Sequence, residues 1–275
     1  MSRKYYSLVS GLPNITLEDS KLSYGPAEFF RDMEEYVIPE HFELFRIFNL
    51  SVDNRNIFKG LVKHDHEFQK GGLFSSDEVE DILNDPGDTF PYITEFVEEY
   101  RSEVFDQEVD KKRLMTLYYQ YLISHENRFI REWFELELNL NNIIAAMNAR
   151  KHGIDIAHEV VMANDLSELL LKNSSRDFGI GGSFEYIEQI LTVFDETDLL
   201  KREKSIDLIK WEWLDENTFF DYFTIEKLIA FYIKLRMIER WTSLDPETGK
   251  EMFEKLTREL EKGFELPDEF NKNKI

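Results

Sequence analysis

The residues of this sequence best suited to chemistry are a few histidines and the carboxylates near them. His64 and Asp65 are adjacent, and His41 lies upstream. Together they could hold a divalent metal, which makes a bound water nucleophilic at neutral pH. The plain alternative is a solvated loop. An adjacent His-Asp pair arises readily in a chain with 32% charged residues, and this one falls where helical periodicity lapses before Gly71-Gly72. A di-iron carboxylate site needs Glu-x-x-His on inward helix positions, and none of the 6 histidines has a Glu three residues before it. His158-Glu159 begins a zincin-like pattern, but position 162 is Met. The run Gly179-Ile180-Gly181-Gly182-Ser183 lacks the preceding strand and following Lys of a phosphate cradle, so it reads as a hinge. There is no Gly-x-Ser-x-Gly elbow. These residues predict no catalytic centre and no cofactor, with His41, His64 and Asp65 as the alternative metal site.

Basic clusters on apolar helices are the other candidates. Arg236 and Arg240 stand one turn apart, and Arg150 and Lys151 take a similar place in an earlier helix. In so acidic a chain such groups pair with internal carboxylates or contact a partner. Arg150, Lys151, Arg236 and Arg240 are therefore the candidate interaction residues.

The composition sets the frame for both sets. The chain has 275 residues, 33 of them basic and 55 acidic, for a formal net charge of −22. Such a body is repelled by phosphate backbones and anionic lipids, which argues against nucleic acid and membrane surfaces as partners. With 42% hydrophobic residues, 23 Phe, 12 Gly and 7 Pro, it has the apolar material of a folded protein. It has no cysteine, so disulfides, cysteine-ligated zinc and thiol catalysis are excluded. No run approaches the ~18 apolar residues of a membrane-spanning helix. Ser2-Arg3-Lys4 followed by Tyr5 to Pro13 has no cleavage-site pattern. The expected setting is soluble and cytoplasmic.

The elements that must position these residues are helices, and the expected fold class is all-α. Tyr5 to Ser10 is the one short strand candidate, or an extended segment lying across helices, ended by Gly11-Leu12-Pro13. Apolar spacing predicts helix from Pro26 to about Phe48 with a break at Pro39, and a short helix over Ser76–Leu83. A turn follows at Asp85-Pro86-Gly87-Asp88, and Pro91 suits the first turn of the next helix. From about Lys112 to Lys151 apolar residues recur at steps of three and four. Unbroken, that run would be about 60 Å long, against a diameter of about 48 Å for a compact chain of this length. The spacing therefore predicts a break around Asn139-Leu140-Asn141-Asn142, or an elongated molecule. Phe219 to Trp241 forms a second long pattern, and Asp245-Pro246 opens a last helix.

Two segments resemble each other. Asp53 to Phe58 leads through Lys63 to Gly71-Gly72-Leu73-Phe74 and the apolar Val79, Ile82 and Leu83. Asn139 to Ile144 leads through Arg150-Lys151 to Gly181-Gly182-Ser183-Phe184 and Ile187, Ile190 and Leu191, with an extra helix from about Glu159 to Lys172 between them. A third, more degraded copy begins at Glu226, passes Arg236 and Arg240, and closes with the helix after Pro246. This predicts pseudo-repeated helical lobes over 26–110, 111–200 and 201–266, with a solvated tail at 267–275.

The paired Asn56-Ile57 and Asn142-Ile143, each followed by a basic turn and a glycine-opened helix, resemble the C-type central-stalk component of the V/A-type rotary ATPases, known as the d-type component in eukaryotes. Tyr5-Tyr6-Ser7-Leu8-Val9-Ser10-Gly11-Leu12-Pro13 resembles an uncharacterised bacterial group associated with a divergent version of that component. The chain departs from typical members in being shorter and in its blurred third repeat. The resemblance implies three helical lobes around a pseudo-threefold axis, forming a funnel on the membrane rotor ring that receives the central axle. It implies a non-enzymatic coupling protein, peripheral to the membrane, whose partners are other ATPase subunits. An HD-type metal-dependent phosphohydrolase and a generic helical-repeat scaffold are the alternatives.

Overall fold

The computed structural model describes residues 5–19, 21–62, 67–87, 89–100 and 107–243. Among them every regular element is helical, so the fold is all-α. In chain order these are α1 (Tyr6–Ser10), α2 (Pro26–Tyr36), α3 (Pro39–Arg46) and, after a 3-10 turn at Ile47–Asn49, α4 (Leu50–Val62). Then come α5 (Ser76–Asn84), α6 (Pro91–Tyr100), α7 (Gln107–Ile123), α8 (Arg128–His152) and α9 (Ile156–Glu159). The last are α10 (Asp165–Lys172), α11 (Ile187–Phe194), α12 (Leu199–Asn217) and α13 (Ile225–Ser243). Among the described residues no helix is long and apolar enough to cross a membrane.

Prolines start α2, α3 and α6, because the first helical turn needs no N–H and suits the fixed φ of the ring. The expected break at Pro39, the short helix before Asn84 and the helix opening at Pro91 are all present. Three expectations are corrected. The segment Tyr6–Ser10 is a single helical turn, not a strand or extended stretch. The long run from Lys112 does not break at Asn139–Asn142. It breaks at Ser124–Asn127, where Asn127 caps α8 by accepting from the Ile130 N–H at 3.0 Å. The α7–α8 pair is thus a helical hairpin, and α8 runs uninterrupted for 25 residues. Finally, α13 begins at Ile225, so Phe219 and Phe220 lie in the preceding turn and are exposed.

Helix α13 is buried almost all round, from Leu228 through Leu235, as expected of a central helix. It packs on α1, α2, α3 and α12. The Tyr232 ring meets Phe45 at 5.7 Å and Phe29 at 6.0 Å, and Phe48 carries the aromatic packing on to Phe134 of α8 at 5.3 Å. Trp213 ties α12 to α8 through Phe129 and Trp133, at 5.5 and 5.7 Å. The segment of α12 carries no sequence expectation because its apolar residues spread around the helix instead of forming one stripe.

The internal repeat is visible in side-chain bonding. Buried Asn56 on α4 donates through Nδ2 to the Gln69 carbonyl (2.8 Å) and accepts the Gln69 N–H (2.9 Å). Buried Asn142 on α8 does the same with Val161, at 2.8 and 2.9 Å. Three residues earlier, Asp53 accepts the Leu73 and Phe74 N–H groups, while Asn139 accepts from the Asn164 side chain at 2.8 Å. The clamped loops then end in reciprocal caps, Ser75 with Glu78 opening α5 and Asn164 with Ser167 opening α10. Each unit is therefore a helix, a loop pinned to it by Asn, and a capped helix.

This corrects the expected correspondence of the two Gly-Gly runs. The counterpart of α5 is α10, the helix expected to be an insertion, and not α11 behind Gly181-Gly182. A Cβ on Gly72 would lie 2.8 Å from Asp53 Cγ and closer still to Oδ1, so that glycine lets the loop reach the carboxylate; Gly182 has open space around it. The glycine pairs resemble each other in sequence and sit in unrelated surroundings. The helix after Pro246, the tail at 267–275, Ser2-Arg3-Lys4, Lys63 and Asp88 lie outside the described residues.

Candidate functional site

Helices α8, α12 and α13 leave an open groove between them, and the charges in its walls come from all three. It consists of two adjoining depressions of about 390 and 480 Å³ that share Asp207, Lys210 and Arg240. Asn141, Asn148 and His152 line the first, while Tyr118, Glu137 and Arg236 line the second.

Asp207 is 3% exposed on α12. Its carboxylate accepts from the Arg240 guanidinium and, at 2.7 Å, from the Trp241 indole N–H, both on α13. Lys210, one turn further along α12, brings Nζ to 3.2 Å from Glu137 Oε1 on α8. Arg236 donates to the Phe48 carbonyl at 2.7 Å and lies 5.6 Å from the centre of the Tyr232 ring. These contacts tie α12 to α8 through Lys210 and Glu137, and α12 to α13 through Asp207 and Arg240. Nearby on the α12–α13 pair, Lys234 is 9% exposed and pairs with Asp215 at 2.6 Å, over the Trp211 ring. Burial pulls its pKa below the ordinary lysine value, against the pull of Asp215.

Of the expected interaction residues, Arg236 and Arg240 come together in this groove. Arg150 and Lys151 do not. They sit in the last turn of α8, where positive charge suits the helix dipole. Arg150 lies over the Phe178 ring at 3.6 Å and donates to the Ser175 and Asn173 carbonyls. Burial holds its pKa below the usual guanidinium value. Lys151 is exposed, 5.8 Å from the Phe194 ring centre, with Arg202 at 5.4 Å from the same ring. Pairing with an internal carboxylate thus describes Arg240, whereas Arg150 and Arg236 bind backbone carbonyls.

In the alternative metal set, His41 shares a hydrogen bond between Nδ1 and the Tyr5 hydroxyl at 2.7 Å. His64 and Asp65 lie outside the described residues. The residues missed by sequence reasoning are Asp207, Lys210 and Glu137. The available signal was the pair Trp211 and Trp213 within a charged run, which marks a segment buried on more than one side.

Fold and groove together define an all-α protein that uses one pinned helix–loop–helix unit twice and cross-braces its central helices with charge. Residues 1–264 match the family described as "Protein of unknown function (DUF2764)", and the chain belongs to that family. No curated protein matches it.

Proposed function

We propose that this chain is a non-enzymatic central-stalk protein that couples the rotor axle to the membrane rotor ring of a V/A-type ion-translocating ATPase. The observation that carries the reading is the equivalence of Asn56 and Asn142, each pinning the loop that follows its helix; the glycine-opened helices that completed the resemblance are not equivalent in the fold. A torque coupler needs stiff elements held in register. The 25-residue α8, the buried α13 and the charge pairs between α8, α12 and α13 suit that task. The −22 net charge suits docking on basic partner surfaces and makes assembly sensitive to salt. The pseudo-threefold funnel of lobes at 26–110, 111–200 and 201–266, and a cytoplasmic place at the membrane through the complex, belong to this proposal.

The test is purification of the rotary ATPase from native membranes. The chain is expected to co-purify with the axle and rotor-ring subunits, and its deletion to leave ATP hydrolysis by the detached head intact while abolishing ATP-driven ion transport. A complex that lacks the chain and still couples hydrolysis to transport ends the reading.

A further inference from the structure

The turn between α12 and α13 places large aromatic side chains in solvent. Phe219 is 62% exposed, Phe220 80% and Tyr222 61%. Phe219 and Phe220 pack edge to face at 4.9 Å, and Tyr6 of α1, 56% exposed, has its ring 4.5 Å from Phe223. Isolated exposed apolar residues need no explanation, but an aromatic cluster on one turn does.

The turn is held in place. Thr218 caps α12 through its hydroxyl, 2.7 Å from the Leu214 carbonyl, and Lys227 Nζ reaches the same hydroxyl at 3.2 Å. The Asp221 N–H donates to the Thr218 carbonyl, and the Tyr5 N–H to the Phe223 carbonyl at 2.7 Å, fixing α1 against the turn. A surface ordered in advance loses little entropy when it is covered.

Its rim is acidic. Glu212 and Glu216 are exposed at the end of α12, and Asp221 and Glu226 stand on the turn and the start of α13. The basic groups near Asp221 are Lys227 and Arg128, and Arg128 is itself paired with Glu132. Burial and the neighbouring charge of Glu226 push the Asp221 carboxyl above its ordinary range, with Lys227 and Arg128 pulling the other way.

We propose that the aromatic turn 218–223, with Tyr6 beside it, is a docking surface for a basic amphipathic helix of a partner protein. Aliphatic side chains of that helix cover Phe219, Phe220 and Tyr222 while flanking Lys or Arg meet the acidic rim. A second copy of this chain would bring the same acids against one another, on bodies of net charge −22 each. Anionic headgroups would meet the same repulsion. The surface is defined by its chemistry and stands independently of the rotary-ATPase reading.

The probe is a fluorescein-labelled Leu/Lys amphipathic helix of about 18 residues, about five turns, titrated with the full chain and followed by anisotropy. A Leu/Glu helix of the same pattern is the control. The Leu/Lys helix is expected to bind, and to bind about tenfold more weakly to F219S/F220S and to Y222S. Added salt is expected to weaken it further, and the Leu/Glu helix to stay unbound. The thermal melts of both variants should match that of the parent chain, since the replaced side chains lie mostly in solvent. No binding of the Leu/Lys helix, equal binding by the variants, or equal binding of the Leu/Glu helix overturns the proposal. So does a dimer in sedimentation, or retention on phosphatidylglycerol vesicles, that is lost in F219S/F220S.

Discussion

Asn56 and Asn142 make the same two hydrogen bonds from two different helices. Each side-chain amide donates to a carbonyl and accepts the N–H of the same residue, Gln69 in one unit and Val161 in the other, with lengths agreeing at 2.8 and 2.9 Å. The clamped residues lie 13 and 19 positions downstream. Loops of different length are thus brought to one geometry, because a carboxamide offers a donor and an acceptor side by side.

Replacing either Asn removes both bonds at a buried site. N56A and N142A should each lower stability by about 2–3 kcal/mol in urea unfolding. Aspartate keeps the acceptor and loses the donor, so N56D and N142D should be impaired as well. The loss should be local: N56A should raise hydrogen exchange in the loop before α5 and N142A in the loop before α10. Uniform loss of protection in both variants would show that the two clamps are not separate units.

Asp53 is the charged member of these four clamp positions, its counterpart being Asn139. Burial raises its pKa above the ordinary 3.8, with the Leu73 and Phe74 N–H groups pulling the other way. The folded value exceeds the unfolded one, so the protein binds a proton on folding between them. The stability linked to that proton is fully present below 3.8 and is lost as pH rises through the folded value. D53N should remove this dependence, and the parent chain should gain on it as pH falls from neutrality. D53A, which takes the acceptor from two half-buried N–H groups, should cost about 1–3 kcal/mol at neutral pH. Parallel urea curves for the parent and D53N across acidic pH check the sign.

The two Gly-Gly runs give opposite expectations. G72A drives a methyl group into the Asp53 carboxylate and should cost about 2–3 kcal/mol or more. G182A meets open space and should stay within about 0.5 kcal/mol of the parent. Equal penalties in thermal melts would restore the equivalence that the sequence alone suggests.

Asp207 joins α12 to α13 through Arg240 and Trp241. D207A leaves the indole N–H without its acceptor and should cost about 2 kcal/mol. R240A leaves the Asp207 carboxylate, 3% exposed, with the indole N–H in place of its counter-charge, and should cost at least as much, about 2–3 kcal/mol. The double variant should lose less than the sum of the two, a coupling readable in a double-mutant cycle.

The helices with one apolar stripe and a clear terminus were legible in the sequence. Pro26, Pro39 and Pro91 mark their own helix starts, since a proline ring fixes φ and lacks the donor that a first turn does not need. The break at Ser124–Asn127 was hidden because Leu122 and Phe129 continue the three-and-four spacing across it. Asn139 and Asn142 suggested a break because Asn favours turns, yet here they act on a loop from within a helix. The groove followed the same division. Arg236 and Arg240 stood out by spacing, whereas Asp207 lay in α12, whose apolar residues face several neighbours at once.

Composition and periodicity by themselves determined that this protein is all-α, strongly acidic and free of cysteine, because those properties are sums over residues or local repeats along one helix. The tertiary structure decided which helix is central, which loop each Asn holds, which glycine is needed and which arginine finds a carboxylate. Those depend on groups far apart in the chain meeting at hydrogen-bond distance, and no local pattern encodes that meeting.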